Sequence, residues 1–151
     1  MASSKETPIL TEPALDFMRL MWAVDHELQR VSKRMIGRLG LTAPQRLALR
    51  LIGREPGLTP GALATLLHLH PGTVTGIVRR LESAGLISRV RSTGDTRRMH
   101  LELTSAGQTL NRRRKGTVEA AVLRMLDSVS SNELGATSRV LKLLAEELAA
   151  E

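Results

Sequence analysis

The sequence predicts a mainly α-helical fold with one small β-hairpin. Capping residues open helices at intervals along the chain, and the apolar residues between them recur with the period of an α-helix. After Gly85 the period changes to two for a short stretch, as in paired strands. Three consecutive helices followed by strand, turn and strand form a winged helix-turn-helix lobe. The chain of 151 residues has room for this lobe and for a helical dimerisation region built from its N- and C-terminal helices.

Composition and charge indicate the cellular compartment of the protein and the kind of partner that it binds. The absence of cysteine excludes disulfides, thiolate metal sites and cysteine nucleophiles, and predicts a cytoplasmic protein. No segment has the roughly 20 consecutive apolar residues that span a bilayer, so we expect no membrane association. The segment from Thr73 to Lys115 contains ten basic and three acidic residues, which accounts for the whole net charge of +7. This segment is therefore predicted to face a polyanionic partner.

The first helix is predicted from Glu12 to Leu39, after a polar, mobile arm at residues 1–10. Two apolar stripes run along this helix at different azimuths, one containing Phe17 and the other containing Trp22. A helix that is apolar on two sides must bury both, which a small monomer achieves poorly. The pattern therefore predicts a homodimer.

Capping residues predict the starts of the next two helices. The second helix spans residues 43–54 and is opened by Thr42, and the third runs from Pro60 to Leu67 and is opened by Thr59. The third helix is expected to contribute three leucines to the core, namely Leu63, Leu66 and Leu67.

A fourth helix, from Pro71 to Ala84 with Gly85 in the left-handed position after it, is predicted to read DNA. Its apolar face carries Val74, Ile77, Val78 and Leu81. The opposite face is small, hydroxylated and basic, which suits a helix lying in the major groove with its N-terminal residues at base edges. The residues predicted to contact DNA from this helix are Gly72, Thr73, Thr75, Gly76, Arg79 and Arg80.

The strands of the hairpin are predicted over residues 86–91 and 98–103, with a basic tip between them. Arg97 and Arg98 are expected to enter the minor groove, where a narrow groove concentrates negative potential. Asp95 would be repelled by DNA if it pointed outward. It is therefore predicted to support the wing by bracing the turn or orienting an arginine.

The C-terminal part is predicted to contain two helices. Thr104 caps a long helix that reaches about Val129, and Ser130 with Glu133 forms a capping box for a final helix to about Ala149. The four cations at residues 112–115 are expected to circle the long helix. The predicted domain organisation is thus an arm, a dimerisation region and a DNA-binding lobe, at residues 1–10, 11–40 with 104–151, and 41–103.

Few features of the sequence are typical of an enzyme or of a metal-binding protein. The pair His68 and His70 lacks a third ligand, and no phosphate-binding loop or nucleophile motif is present. We therefore predict no cofactor, no metal site and no catalytic residues.

The chain resembles the multiple antibiotic resistance regulator (MarR) family. The matching residues are Leu41-Thr42 with Gln45, Leu63-Ala64, Thr73-Val74-Thr75, Leu81-Glu82, Gly85-Leu86-Ile87 with Arg89, and the more specific Asp95-Thr96-Arg97 followed by Leu103-Thr104 and Gly107. The resemblance implies a dimer tied by its first and last helices, with two winged lobes on a short pseudo-palindrome in double-stranded DNA. It also implies regulation, usually repression, relieved by a small anionic or phenolic effector between the dimer region and the lobe.

The chain departs from the family pattern at informative positions. Peroxide sensing by a reactive cysteine is excluded, since there is none. Arg46 occupies a position where similar proteins commonly have an apolar or aromatic residue, and it either faces solvent or pairs with an anionic effector. Trp22 and His26, one helical turn apart, either form a pocket wall or pack in the subunit interface. These three residues form the predicted effector pocket.

The main hypothesis is a sequence-specific, DNA-binding transcription regulator, a dimeric repressor released by a small effector. Its half-sites are expected about 10 bp apart, one turn of duplex. The alternative is a non-enzymatic winged-helix module that coats DNA without sequence choice or binds another protein.

Overall fold

The computed structural model describes residues 12–95 and 97–151. The elements in this part are α1 (Pro13–Leu39), α2 (Ala43–Arg54), α3 (Pro60–Leu67), α4 (Pro71–Ser83), β1 (Ile87–Arg91), β2 (Met99–Leu103), α5 (Ser105–Arg112), α6 (Val118–Leu126) and α7 (Ser131–Ala150). The predicted fold class, mainly helical with one hairpin, is confirmed. The arm predicted at residues 1–10 lies outside the described residues. Within the described ranges, no helix combines the length and apolar character that crossing a membrane requires.

Four helices, α2, α3, α5 and α7, begin after the capping residues that the sequence indicates. Thr42 opens α2 with a complete capping box to Gln45, and the Thr59 side chain accepts a hydrogen bond from the backbone of α3. The box that opens α7 is also complete. There the backbone N–H and the hydroxyl of Ser130 donate to the Glu133 carboxylate, and these bonds hold the pKa of Glu133 below its usual range.

The hydrophobic core lies in the lobe, between α2, α3, α4 and the hairpin. Its fully buried members include Leu49, Leu63, Val78 and Leu101. The prediction that Leu66 joins this core is wrong, because its side chain is 48% exposed. The buried arc of α3 runs from Leu63 to Ala64, and Leu66 lies outside this arc, beyond Leu63.

A backbone hydrogen bond from the middle of β2 joins the antiparallel hairpin to the rest of the lobe. Ile87 pairs with Leu103 and Arg91 pairs with Met99 in the register of the two strands. The backbone N–H of Leu101 donates to the carbonyl of Leu58 at 2.8 Å, which joins β2 to the segment before α3. The hairpin is therefore part of the lobe rather than an appendage to it.

Thr104 and Gly107 connect the hairpin to α5. The Thr104 hydroxyl donates to the carbonyl of Gly85 at 2.6 Å and accepts from the backbone N–H of Gly107 at 3.1 Å. Gly107 is buried against the carbonyl of Leu86, and a Cβ at this position would overlap that oxygen. The spacing Leu-Thr-x-x-Gly thus has a geometric cause, namely close contact between α5 and the base of the wing.

We expect Gly107→Ala to lower the free energy of unfolding by about 1–3 kcal/mol, because the new methyl group forces the Leu86 backbone to move. Urea denaturation measures this loss. The matched control is Gly61→Ala in α3, where the added Cβ meets no atom within 4 Å. A stability for Gly107→Ala equal to that of this control contradicts the packing argument.

The single long helix predicted from Thr104 to Val129 is wrong, because the structure has two shorter helices there. The chain turns after α5 at Gly116, which has a φ of 78°, and Thr117 caps α6 by accepting from the N–H of Ala120. Backbone carbonyls at the end of α5 bond to the side chain of Arg46 instead of continuing the helix. The cations at residues 112–115 consequently occupy a helix end and a turn, and do not circle one helix.

The first and last helices present large apolar side chains to solvent. Neither α6 nor α7 has a fully buried residue, and α1 has two, Ser32 and Met35. The exposed apolar side chains on these helices include Leu20, Trp22, Val24, Leu123, Leu141 and Leu148. A surface this apolar is typical of a protein interface.

Candidate nucleic-acid interface

The fourth helix divides cleanly into a buried and an exposed face. Val74, Ile77, Val78 and Leu81 are buried in the core of the lobe. The six residues of this helix that are predicted to contact DNA are all exposed, namely Gly72, Thr73, Thr75, Gly76, Arg79 and Arg80. The two arginines form no ion pair with any described residue, so their charges are available to a partner.

The two threonines near the start of α4 differ in what they can offer. The Thr75 hydroxyl donates to the carbonyl of Pro71 at 2.9 Å, which leaves its methyl group and its two acceptor lone pairs for a partner. The Thr73 hydroxyl makes no side-chain hydrogen bond to a described residue. Thr73 is therefore the threonine with a free hydroxyl donor.

His70 caps the start of α4. Its Nδ1 accepts a hydrogen bond from the backbone N–H of Gly72 at 3.0 Å. A Cβ on Gly72 would lie 3.1 Å from that nitrogen, which is tighter than ordinary contact. Glycine at this position thus makes room for the capping ring.

The turn of the hairpin is held by Asp95. Its Oδ1 accepts from the backbone N–H of Arg97 at 3.0 Å, and its carbonyl accepts from the N–H of Arg98 at 3.0 Å. Oδ2 lies 3.6 Å from Nε of Arg98. The side chain of Arg97 forms no ion pair within the described part of the chain, so Arg97 is the less restrained of the two arginines.

A further ion pair joins α4, the helix predicted to read DNA, to strand β1 of the hairpin. Nε of Arg89 on β1 lies 3.0 Å from Oε1 of Glu82 on α4. Both side chains are partly exposed, so the pair contributes at most about 1 kcal/mol to stability. Its larger effect is to connect the two elements that carry the candidate DNA-contact residues.

A cleft of about 900 Å³ separates the lobe from the helices outside it. Residues of α1, α2, α3, α5 and α6 line it, and its apolar walls include Leu28, Leu47, Leu51, Leu67 and Val122. Arg46 also lines this cleft, but Trp22 and His26 do not. The structure therefore does not bring the three residues of the predicted pocket together in one chain.

Arg46 does not face solvent, which corrects one of the two predicted placements. Its side chain is 1% exposed, and its guanidinium binds the Glu119 carboxylate and three backbone carbonyls. Sequence reasoning missed Glu119 as this partner. The available signals were a charged residue at a core position of α2 and an acidic residue just after the capping Thr117.

Comparisons with known proteins agree with this architecture. A family model described as the MarR family matches residues 41–99, the helices of the lobe and most of the hairpin. The Mycobacterium tuberculosis HTH-type transcriptional repressor Rv2887 is 29% identical over 128 residues, covering 85% of this chain and 92% of that protein. Its crystal structure with salicylic acid is 30% identical, with a TM-score of 0.55, and the match covers 83% of this chain and 93% of that one. The chain belongs to the MarR family.

The likeness to MarR-family structures extends beyond the winged lobe. The crystal structure of Streptococcus pneumoniae FabT in complex with DNA is 26% identical, with a TM-score of 0.66, and the match covers 90% of this chain and 97% of that one. The shared fold therefore includes helices outside residues 41–99. Membership of the MarR family places the chain among the helix-turn-helix transcription regulators.

Proposed function

We propose that this MarR-family protein is a sequence-specific, dimeric transcription repressor. The observation that carries the proposal is the division of α4, which buries four apolar residues and leaves a face of glycine, threonine and unpaired arginine exposed. In the proposed complex this face lies in the major groove of double-stranded DNA, and Arg97 and Arg98 approach the minor groove. Residues 41–103 form the DNA-binding lobe of this assignment.

The proposed dimer is formed by residues 11–40 and 104–151. The apolar surfaces of α1, α6 and α7 support it, since they lack a partner within the described chain. Two copies related by a twofold axis place their reading helices on a pseudo-palindromic operator. The half-sites then lie about one helical turn, or 10 bp, apart.

The proposed effector is a small anionic or phenolic molecule that binds in the cleft and releases the operator. Two features support this site. The cleft lies between the lobe and the dimerisation region, and the similar protein Rv2887 has a crystal structure in complex with salicylic acid. Arg46 belongs to the site, whereas the exposed Trp22 and His26 are assigned to the subunit interface. A repressor of chromosomal genes acts in the cytoplasm, and the proposal includes no catalytic step.

Selection from a pool of random duplexes tests this function directly. We expect enrichment of a palindrome and an affinity for it at least about 10³-fold above that for random duplex. Fluorescence anisotropy with unlabelled random DNA as competitor measures the ratio. Equal affinities indicate a module that coats DNA without sequence choice, and no affinity for DNA indicates a protein partner.

Replacing Arg97 by alanine is expected to weaken binding similarly for all duplexes. The loss of one phosphate or groove contact lowers the slope of log Kd against log salt by about 0.9. Lys142→Ala on α7 removes the same charge from outside the lobe, and it is expected to leave the slope unchanged. If the slope for Arg97→Ala also stays at the wild-type value, Arg97 does not contact DNA.

A further inference from the structure

Two arginines of α2 share one carboxylate at the polar end of the cleft. Nη2 of Arg46 lies 2.6 Å from Oε1 of Glu119, and Nε of Arg46 lies 3.2 and 3.3 Å from its two oxygens. Nε of Arg50 lies 3.5 Å from the same Oε1. With two cations and one anion, this end of the cleft carries a net positive charge next to apolar walls.

Arg46 is held in place even without Glu119. Its Nη1 donates to the carbonyl of Leu110 at 2.7 Å, and its Nη2 donates to the carbonyls of Asn111 and Arg113 at 3.0 and 2.7 Å. These carbonyls end α5, where a cation also complements the helix dipole. The guanidinium thus keeps backbone partners if its carboxylate partner changes.

Glu119 is the exchangeable member of the cluster. Its side chain is 24% exposed, against 1% for Arg46, so it can turn toward water without becoming a buried, unpaired charge. It stands in the first turn of α6, one residue after Val118, and its bond to Arg46 fastens that turn to α2 of the lobe. Displacing Glu119 therefore frees the start of α6 from the lobe.

We infer that Glu119 is a built-in occupant of the effector site, and that the carboxylate of an apolar ligand displaces it from Arg46 and Arg50. This inference rests on the proposed function, and it names the chemical class of the effector and the contact through which it acts. The ligand carboxylate replaces one anion by another, so both arginines stay paired while the apolar part of the ligand fills the cleft. The ion pair between the lobe and α6 is then lost while the bonds of Arg46 to the end of α5 remain, and the reading helix shifts from the position set by the dimer.

Glu119→Gln tests the inference, because it removes the competing charge but keeps the length and shape of the side chain. The probe is benzoate, with uncharged benzamide as its counterpart, and isothermal titration measures their binding without DNA. We expect E119Q to bind benzoate about tenfold more tightly than wild type and the selected operator about tenfold more weakly, a coupling typical of linked sites. Benzamide affinity is expected to be the same in both proteins.

The matched control is Asp25→Asn, which removes an acid from the lining of the same cleft. Asp25 forms no ion pair among the described residues, so D25N is expected to keep wild-type affinity for the operator. The inference is overturned if E119Q binds benzoate no more tightly than wild type does. It is equally overturned if E119Q keeps full operator affinity or if D25N loses as much as E119Q.

A second variant tests the inference independently, in case E119Q does not fold. Arg50 is 32% exposed, and Arg50→Gln removes a cation that the ligand carboxylate needs. We expect R50Q to weaken benzoate binding severalfold, and unchanged binding overturns the inference. The titrations use no DNA, so they stand apart from the proposed function, which instead fails if wild-type protein enriches no palindrome.

Discussion

Replacing Arg46 by methionine is expected to lower the free energy of unfolding by about 3 kcal/mol or more, at roughly 1 kcal/mol for each hydrogen bond that the buried guanidinium loses. The substitution leaves Glu119 without its main cation. It also removes the donor from three carbonyls at the end of α5. Because these contacts join segments more than 60 residues apart, the loss affects the whole lobe rather than one turn.

Urea denaturation at a fixed protomer concentration measures the effect of Arg46→Met, since dimer stability depends on concentration. The matched control is Arg50→Met, one helical turn further along α2. Arg50 is partly exposed, shares the same carboxylate and donates to two oxygens of Asn111 at 3.1 and 3.2 Å, so its loss is expected to cost about 1–2 kcal/mol. Equal losses for the two variants contradict the structural role assigned to Arg46.

Leu141→Asp is expected to abolish the dimer and to weaken operator binding at least about 100-fold. Leu134, Leu141 and Leu148 are spaced by seven residues and form one exposed stripe on α7, and Leu141 at its centre is 54% exposed. The proposed dimer buries this stripe, so a charge at its centre opposes association of the two subunits. Without the dimer each lobe binds its half-site independently, and the gain from linking two sites is lost.

Analytical ultracentrifugation measures the oligomeric state of Leu141→Asp, and anisotropy measures its operator affinity. Asn132→Asp introduces the same charge in the first turn of α7, on the side opposite to Leu141. This control is expected to remain dimeric. A dimeric Leu141→Asp variant excludes this stripe from the interface.

The elements that the sequence predicted correctly are those with local causes. Thr42, Thr59 and Ser130 each cap a helix through a backbone group three residues away, so the pattern is visible within four letters. The hairpin is similarly local, because alternation and turn residues lie within one short segment. These short-range rules gave the lobe with its reading helix nearly residue by residue.

The features that the sequence did not reveal depend on distant contacts. Gly116 and Thr117 mark a helix boundary locally, but the end of α5 at Arg112 depends on a distant group, because Arg46 binds the carbonyls there. The same contact determines where Glu119 lies. The hydrogen bond of the Thr75 hydroxyl was also not predictable from the sequence. This bond to the carbonyl of Pro71 forms only in some side-chain rotamers, and the residue type does not determine which rotamer is adopted.

The bond from Leu101 to Leu58 limits which DNA sequences the lobe can accept. Together with the contact of Thr104 to Gly85, it fixes the base of the hairpin against the lobe that carries α4. The hairpin and α4 cannot adjust separately to a duplex whose grooves are spaced differently. A narrow, A·T-rich minor groove should therefore recur at one set offset from each half-site, as a part of the operator that no side chain reads directly.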